Sequence, residues 1–307
     1  MNTSIDFAGI KMKNPVTVAS GTFGYGREFA EFFDLNKLGG VVTKGTSLKP
    51  RDGNKPPRVH ETPSGMLNSI GLQNPGVEYF LEHDLPWLRN FDTAIIVNAV
   101  GNTIEEYVEL CGILNKADID GVELNLSCPN VKHGCMAFGN TFEGVKEVTS
   151  KVREVLTNKP LIVKLTPNVT DITATAKGAQ EAGADAVSLI NTLLAMSINI
   201  DTRKPYLANN TGGLSGPAIR PVAVRMVYQV AQSVKIPVLG MGGIMNGQDA
   251  IEFMIAGAKA VSIGAGNFVD PYAGIKTISG IEDYLNKYNI EDINEIIGTV
   301  QMNDSVN

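Results

Sequence analysis

The sequence predicts one (β/α)8 TIM barrel as a single domain over residues 1–307, with long top-face loop insertions. Three observations carry this. Eight short apolar, β-branched runs recur, amphipathic stretches follow most of them, and no linker rich in Pro, Gly or Ser divides the units. Runs that are apolar on both faces suit parallel strands covered by helices. A doubly wound open sheet is the competing architecture, but eight units are the natural closure number of the barrel.

In order, the predicted strands are VTVAS (16–20), GVVTKG (40–45), AIIVNAVG (94–101), GVELNLS (121–127), PLIVKLT (160–166), ADAVSLINT (184–192), IPVLGMGG (236–243) and AKAVSIGAG (258–266). Between them, 105–117, 171–183 and 223–234 read as amphipathic helices, with Gly or Pro at several ends. Two connections are too long for a minimal barrel. Residues 49–76, between the second and third strands, are too polar and too rich in Gly and Pro for one helix. Residues 191–221, between the sixth and seventh, carry turn formers and few helix signals. Long ordered loops within a domain are usually functional.

Composition narrows the function. Apolar residues make up 43% and charged residues 19%, which excludes disorder, collagen and a disulfide-stapled miniprotein. Lys and Arg number 26 against 32 Asp and Glu, a net charge of −6, so no basic excess exists to neutralise nucleic acid. The longest apolar runs fall far short of the roughly 20 residues that cross a bilayer. The N-terminus shows no secretion signal, and Cys111, Cys128 and Cys135 form no CxxC pair, so a reducing cytoplasm is expected.

Barrels of this kind place their chemistry at the C-terminal ends of the strands. Those ends carry Ser20 and Gly21, then Lys44, Gly45 and Thr46, then Asn98, then Asn125, Ser127 and Cys128. Lys164, Asn191 and Thr192, Gly242 and Gly243, and Gly264 to Gly266 complete the ring. Turn preference explains many Asn, Gly and Ser residues there. It does not explain Lys44 and Lys164, which border apolar runs where a cation needs a partner or an anionic ligand. The asparagines offer amides that both donate and accept, suiting a flat heterocycle. The glycines of GMGGI (240–244) and SIGAGN (262–267) permit close backbone approach to a phosphate.

Several other sites are disfavoured. GTFGYG (21–26) has the wrong spacing for a dinucleotide fingerprint, and no GxxxxGK loop occurs. Cys128, His133 and Cys135 lack a fourth ligand and a zinc spacing, so no metal site is expected. His60, His83 and His133 suggest no Ser/His/Asp arrangement by spacing. Cys111 sits in a helical apolar stripe, whereas Cys128, at the barrel mouth, has the position of a base or nucleophile. Residues 128–139, with glycines at 134 and 139, are the candidate lid.

At these residues the chain resembles the class 1 dihydroorotate dehydrogenases, most closely the class 1B catalytic subunits. The resemblance runs from KNPVTVASGTFGYG through LNSIGLQNPG, ELNLSCPN, VKLTPNVTD, INT, TGGLSGPAIRP and GMGGI to GAGNF. It implies oxidation of dihydroorotate to orotate in pyrimidine biosynthesis, with Cys128 removing a proton and FMN taking the hydride. By motif, Ser20, Lys44, Gly45, Asn98, Asn125, Lys164, Ile190, Gly216, Gly242, Gly243, Gly264 and Ala265 would touch FMN. Lys44, Asn68, Ser69, Ile70, Gly71, Leu72, Asn125, Asn130, Asn191 and Thr192 would hold the substrate. The resemblance further implies a homodimer and a partner subunit carrying FAD and a 2Fe-2S cluster that passes electrons to NAD. The alternatives are a class 1A homodimer using fumarate, a non-redox barrel lyase or isomerase acting on a phosphorylated metabolite, and a scaffold that has lost its chemistry.

Overall fold

The computed structural model describes residues 1–126 and 138–303. Eight parallel strands close a barrel: β1 (Val16–Val18), β2 (Gly40–Val42), β3 (Ala94–Ala99), β4 (Gly121–Asn125), β5 (Leu161–Lys164), β6 (Ala186–Leu189), β7 (Val238–Met241) and β8 (Ala260–Ile263). Every predicted run contains one of them, and β8 returns to β1 with Ser262 opposite Thr17. The strands are shorter than the runs because the small and polar residues at their ends leave the ladder to form the mouth. Each strand is buried along its whole length, as a two-faced layer requires.

The predicted helices appear as α1 (Ile104–Leu114), α3 (Ile172–Glu181) and α4 (Arg220–Ser233), joined by α2 (Phe142–Val155), α5 (Gly247–Ala256) and α6 (Ala273–Tyr288). Side-chain caps open four of them. Thr103, Thr141, Asp171 and Asn246 each accept a hydrogen bond from a first-turn amide. The apolar faces so aligned, such as Val145, Val148 and Val152 on α2, are fully buried against the barrel.

A hairpin of Ile5–Phe7 and Ile10–Met12 precedes the barrel. Its Ala8-Gly9 turn has positive φ at both residues, the conformation that a two-residue hairpin favours, and Asp6 accepts from the Gly9 amide at 2.7 Å. Ile10 packs so closely on β4 that a side chain at Gly121 would meet its Cδ1 at 2.8 Å. The hairpin thus packs on the N-terminal end of β4, away from the strand ends that carry polar groups.

The two long excursions are not merely loops. Val59–Thr62 and Gly65–Asn68 pair antiparallel, Gly65–Asn68 pairs with Gly212–Ser215, and that strand pairs with Leu193–Ala195. One four-stranded sheet therefore joins the β2–β3 and β6–β7 connections. Backbone approach is tight along the seam: a Cβ on Gly65 would lie 2.3 Å from the carbonyl oxygen of Ser215. Among the described residues, no helix is long and apolar enough to cross a membrane.

Candidate active site

Polar groups at the strand ends lie in two layers inside the barrel. The lower layer is Asn98 on β3, Glu123 on β4 and Ser188 on β6, all 0% exposed. Asn98 Nδ2 donates to Glu123 Oε1, and Ser188 Oγ donates to Oε2 at 3.0 Å. A carboxylate on β4 that reaches partners on β3 and β6 must point inward. The upper layer is Asn125, two residues further along β4 and so on the same face, and Lys164 at the end of β5. These keep 7% and 5% of their surface exposed. Lys164 Nζ stands 3.6 Å from Glu123 Oε1, and Asn125 Nδ2 donates to Asn98 Oδ1 at 3.3 Å. Tyr107 on α1 donates to the Asn125 carbonyl at 2.8 Å.

Lys44 follows β2, where its amide donates to the Gly24 carbonyl at 2.8 Å. Burial pushes its ammonium below the usual lysine range, and repulsion from Arg58 adds to this. A cation so placed gains stability from an arriving anion. Beside it a cleft of about 570 Å³ is lined by Lys44, Tyr25, Arg51, Gln73 and Asn74, among others. Gly45 brings the backbone against Asn98: a Cβ there would meet Asn98 Oδ1 at 3.1 Å and Leu72 at 3.9 Å.

The glycine-rich group is contiguous in space. A Cβ on Gly243 would stand 2.7 Å from the Gly216 carbonyl oxygen, and one on Gly242 would stand 3.3 Å from Ile190. A Cβ on Gly266 would stand 2.8 Å from the Ile244 carbonyl oxygen, which joins the loops after β7 and β8. Ala265 precedes the short helix Gly266–Val269, Gly264 has only Ala19 near its Cβ direction, and Ser20 is buried at the end of β1. Arg220 pairs with Asp249, whose other oxygen accepts from the Met245 amide at 2.8 Å, so the loop after β7 is tied to α4 and α5.

In the four-stranded sheet, Asn68 donates to the Gly213 carbonyl at 3.5 Å. Asn54 receives the next residues, with its side chain donating to the Ser69 carbonyl at 2.8 Å and its amide to that of Ile70 at 2.9 Å. Gly71 and Leu72 both adopt positive φ, the left-handed backbone that glycine takes at little cost. Asn191 Oδ1 accepts from the Thr192 amide at 2.8 Å. Two residues outside the predicted set shape this region. Asn168 donates to the Thr192 carbonyl at 3.0 Å and accepts from the Leu194 amide at 2.9 Å. Glu123 is the second, and its signal was present: a lone carboxylate within the apolar run GVELNLS. Cys128 and Asn130, the proposed lid from Cys128 on, and the set Cys128, His133 and Cys135 lie outside the described residues, apart from Phe138 and Gly139 of the lid.

A buried and a half-buried lysine, paired amides and a glycine cradle at the strand ends define a barrel of the enzyme type whose mouth suits a planar, anionic ligand with a phosphate. The family model for dihydroorotate dehydrogenase matches residues 3–287, and the chain belongs to that family. It is 58% identical over 302 residues to the dihydroorotate dehydrogenase B (NAD(+)) catalytic subunit of Thermoanaerobacter sp. (strain X514), covering 98% of this chain and 100% of that one. The protein of the same name from Alkaliphilus oremlandii (strain OhILAs) is 59% identical over 297 residues, covering 97% and 98%. That from Bacteroides fragilis (strain YCH46) is 54% identical over 300 residues, covering 97% and 99%.

Proposed function

We propose that this chain is a single-domain, cytoplasmic catalytic subunit that oxidises dihydroorotate to orotate in pyrimidine biosynthesis. It would bind FMN and pass electrons through a partner subunit carrying FAD and a 2Fe-2S cluster to NAD. The observation that carries this is the pair of cations at strand ends among amides, Lys164 buried and Lys44 half-buried. One cation suits a substrate carboxylate and the other a ring that gains negative charge.

The residues present fit FMN. Gly216, Gly242, Gly243, Gly264 and Ala265 form the cradle for its phosphate, with Ile190 against Gly242 and Ser20 at the end of β1. Lys164 and Asn125, buried but for a small exposed edge above Glu123 and Asn98, offer a cation and an amide to the ring, and Gly45 leaves it room. Bound FMN supplies the acceptor for the two electrons that leave with a substrate hydrogen.

The chain's own residues do the rest. Lys44 pairs with the substrate carboxylate, and its burial strengthens that attraction. Asn68 to Leu72, Asn125, Asn130, Asn191 and Thr192 hold the pyrimidine, which fixes which ring carbon meets the base. Cys128, three positions after the end of β4 in sequence, accepts the C5 proton as a thiolate. A homodimer accounts for the exposed apolar side chains Leu194, Met196, Ile198 and Ile200 on the 191–221 excursion.

Anaerobic addition of dihydroorotate to the purified chain tests the reading. Bleaching of a yellow flavin band, and NAD reduction only when the iron-sulfur partner is added, are expected. A colourless chain would favour the non-redox barrel enzymes, and turnover with fumarate alone would favour the class 1A type.

A further inference from the structure

A carboxylate without exposed surface is costly unless its charge is matched, yet Glu123 sits at the centre of the barrel's polar layers. Its oxygens serve three other strands: Asn98 on β3, Lys164 on β5 and Ser188 on β6. The proton removal and the carboxylate pairing proposed above use none of this.

Two features of the geometry give Glu123 a task. An asparagine amide has a donor end and an acceptor end, and either could face inward. A carboxylate only accepts, so the Asn98 NH2 turns to Glu123 and the Asn98 carbonyl turns to Asn125, whose Nδ2 donates to it at 3.3 Å. The second feature is distance. Lys164 Nζ lies 3.6 Å from the carboxylate, beyond a tight N–H···O hydrogen bond, so the ammonium is charge-matched without being drawn down into the lower layer. Among the described residues Glu123 is the only carboxylate within ion-pair distance of Lys164.

We propose that Glu123 is a positioning residue of the active site: it anchors Lys164 for the flavin and, through Asn98, sets the direction of the Asn125 amide. This rests on the reading of Lys164 and Asn125 as flavin ligands. Glu123 itself touches neither flavin nor substrate, because it has no exposed surface.

The test is a double-mutant cycle read by FMN affinity, from titration of the full-length apoprotein with FMN, alongside thermal melting of the same apoproteins. Glu123→Gln keeps the shape and removes the charge. In the native background it should weaken FMN binding about tenfold or more. In a Lys164→Gln background the sign should reverse, and Glu123→Gln should strengthen FMN binding, because it then removes an uncompensated carboxylate. Equal weakening in both backgrounds would overturn the proposal, since a merely structural role does not depend on Lys164. Should Lys164→Gln fail to accumulate, Glu123→Asp decides. With its charge kept, it should bind FMN more tightly than Glu123→Gln, and equal losses would overturn the proposal. If the unaltered chain bound no FMN, the flavin reading itself would fall and take this inference with it, an outcome distinct from either result with the variants.

Discussion

The hydroxyl of Thr192 occupies the space where a side chain on Gly213 would begin: an ideal Cβ there lies 1.9 Å from Thr192 Oγ1. Glycine at 213 is therefore a condition for Thr192 to stand where it does. Gly213→Ala should cost about 1–3 kcal/mol of stability by overpacking. It should also raise the dissociation constant for orotate, since Thr192 must yield and Asn191 is bonded to its amide. Melting and ligand titration check both, and native values for each would show that the rim accommodates a methyl group.

Cys128→Ala should slow flavin reduction by dihydroorotate about a hundredfold or more, as expected for loss of a general base. FMN should stay bound, because the cradle glycines and Lys164 are untouched. Stopped-flow absorbance under anaerobic conditions measures the rate, and near-native reduction would remove Cys128 from the chemistry.

Lys44 gives a pH dependence with a definite sign. Its free-protein pKa is lowered by burial and by Arg58, and a bound carboxylate favours the charged form. Affinity for orotate should be full below that lowered value and decline as pH rises through it, starting beneath the ordinary lysine pKa of about 10.4. Folding has the opposite sign. The unfolded chain holds the Lys44 proton more tightly, so this residue's contribution to stability improves as pH rises through the same window. Orotate titrations across alkaline pH should show the decline in the native protein and not in Lys44→Gln.

Asp249→Asn should loosen the loop after β7. Asp249 is 6% exposed, pairs with Arg220 and receives the Met245 amide. The loss should be about 1–3 kcal/mol, held to the low end because Arg220 is itself partly exposed. FMN retention on dilution should fall with it, and unchanged retention would separate this anchor from the cradle.

Cys111 should resist thiol reagents in the native state. It is 0% exposed on the inner face of α1, and burial pushes its thiol up to about 12. Mass spectrometry after brief alkylation should find it unmodified until denaturant is added; ready labelling would mean that α1 opens.

The strand ends were legible from sequence because a polar residue after a β-branched run stands out against its neighbours, as Lys44 and Lys164 do. All eight strands were found for the same reason. The sheet over the mouth was not legible: Gly65–Asn68 and Gly212–Ser215 pair across about 150 residues, and neither alternates clearly between apolar and polar positions. Asn168 carries no such signal, because its side chain serves the backbone of another loop, at Thr192 and Leu194. Spacing along the chain carries no trace of that.

The sheet over the mouth also dictates how this protein could be re-specified. Its seam sets Gly65 and Gly216 back to back, with a Cβ on Gly216 only 2.8 Å from the Gly65 Cα, and Gly216 in turn abuts Gly243 in the cradle. Residues 59–68 and 193–215 therefore form one cassette encoded in two places. Transplanting either half alone from a distant homologue would leave a mismatched edge against the phosphate cradle, whereas exchanging both together would carry the substrate rim across as a unit.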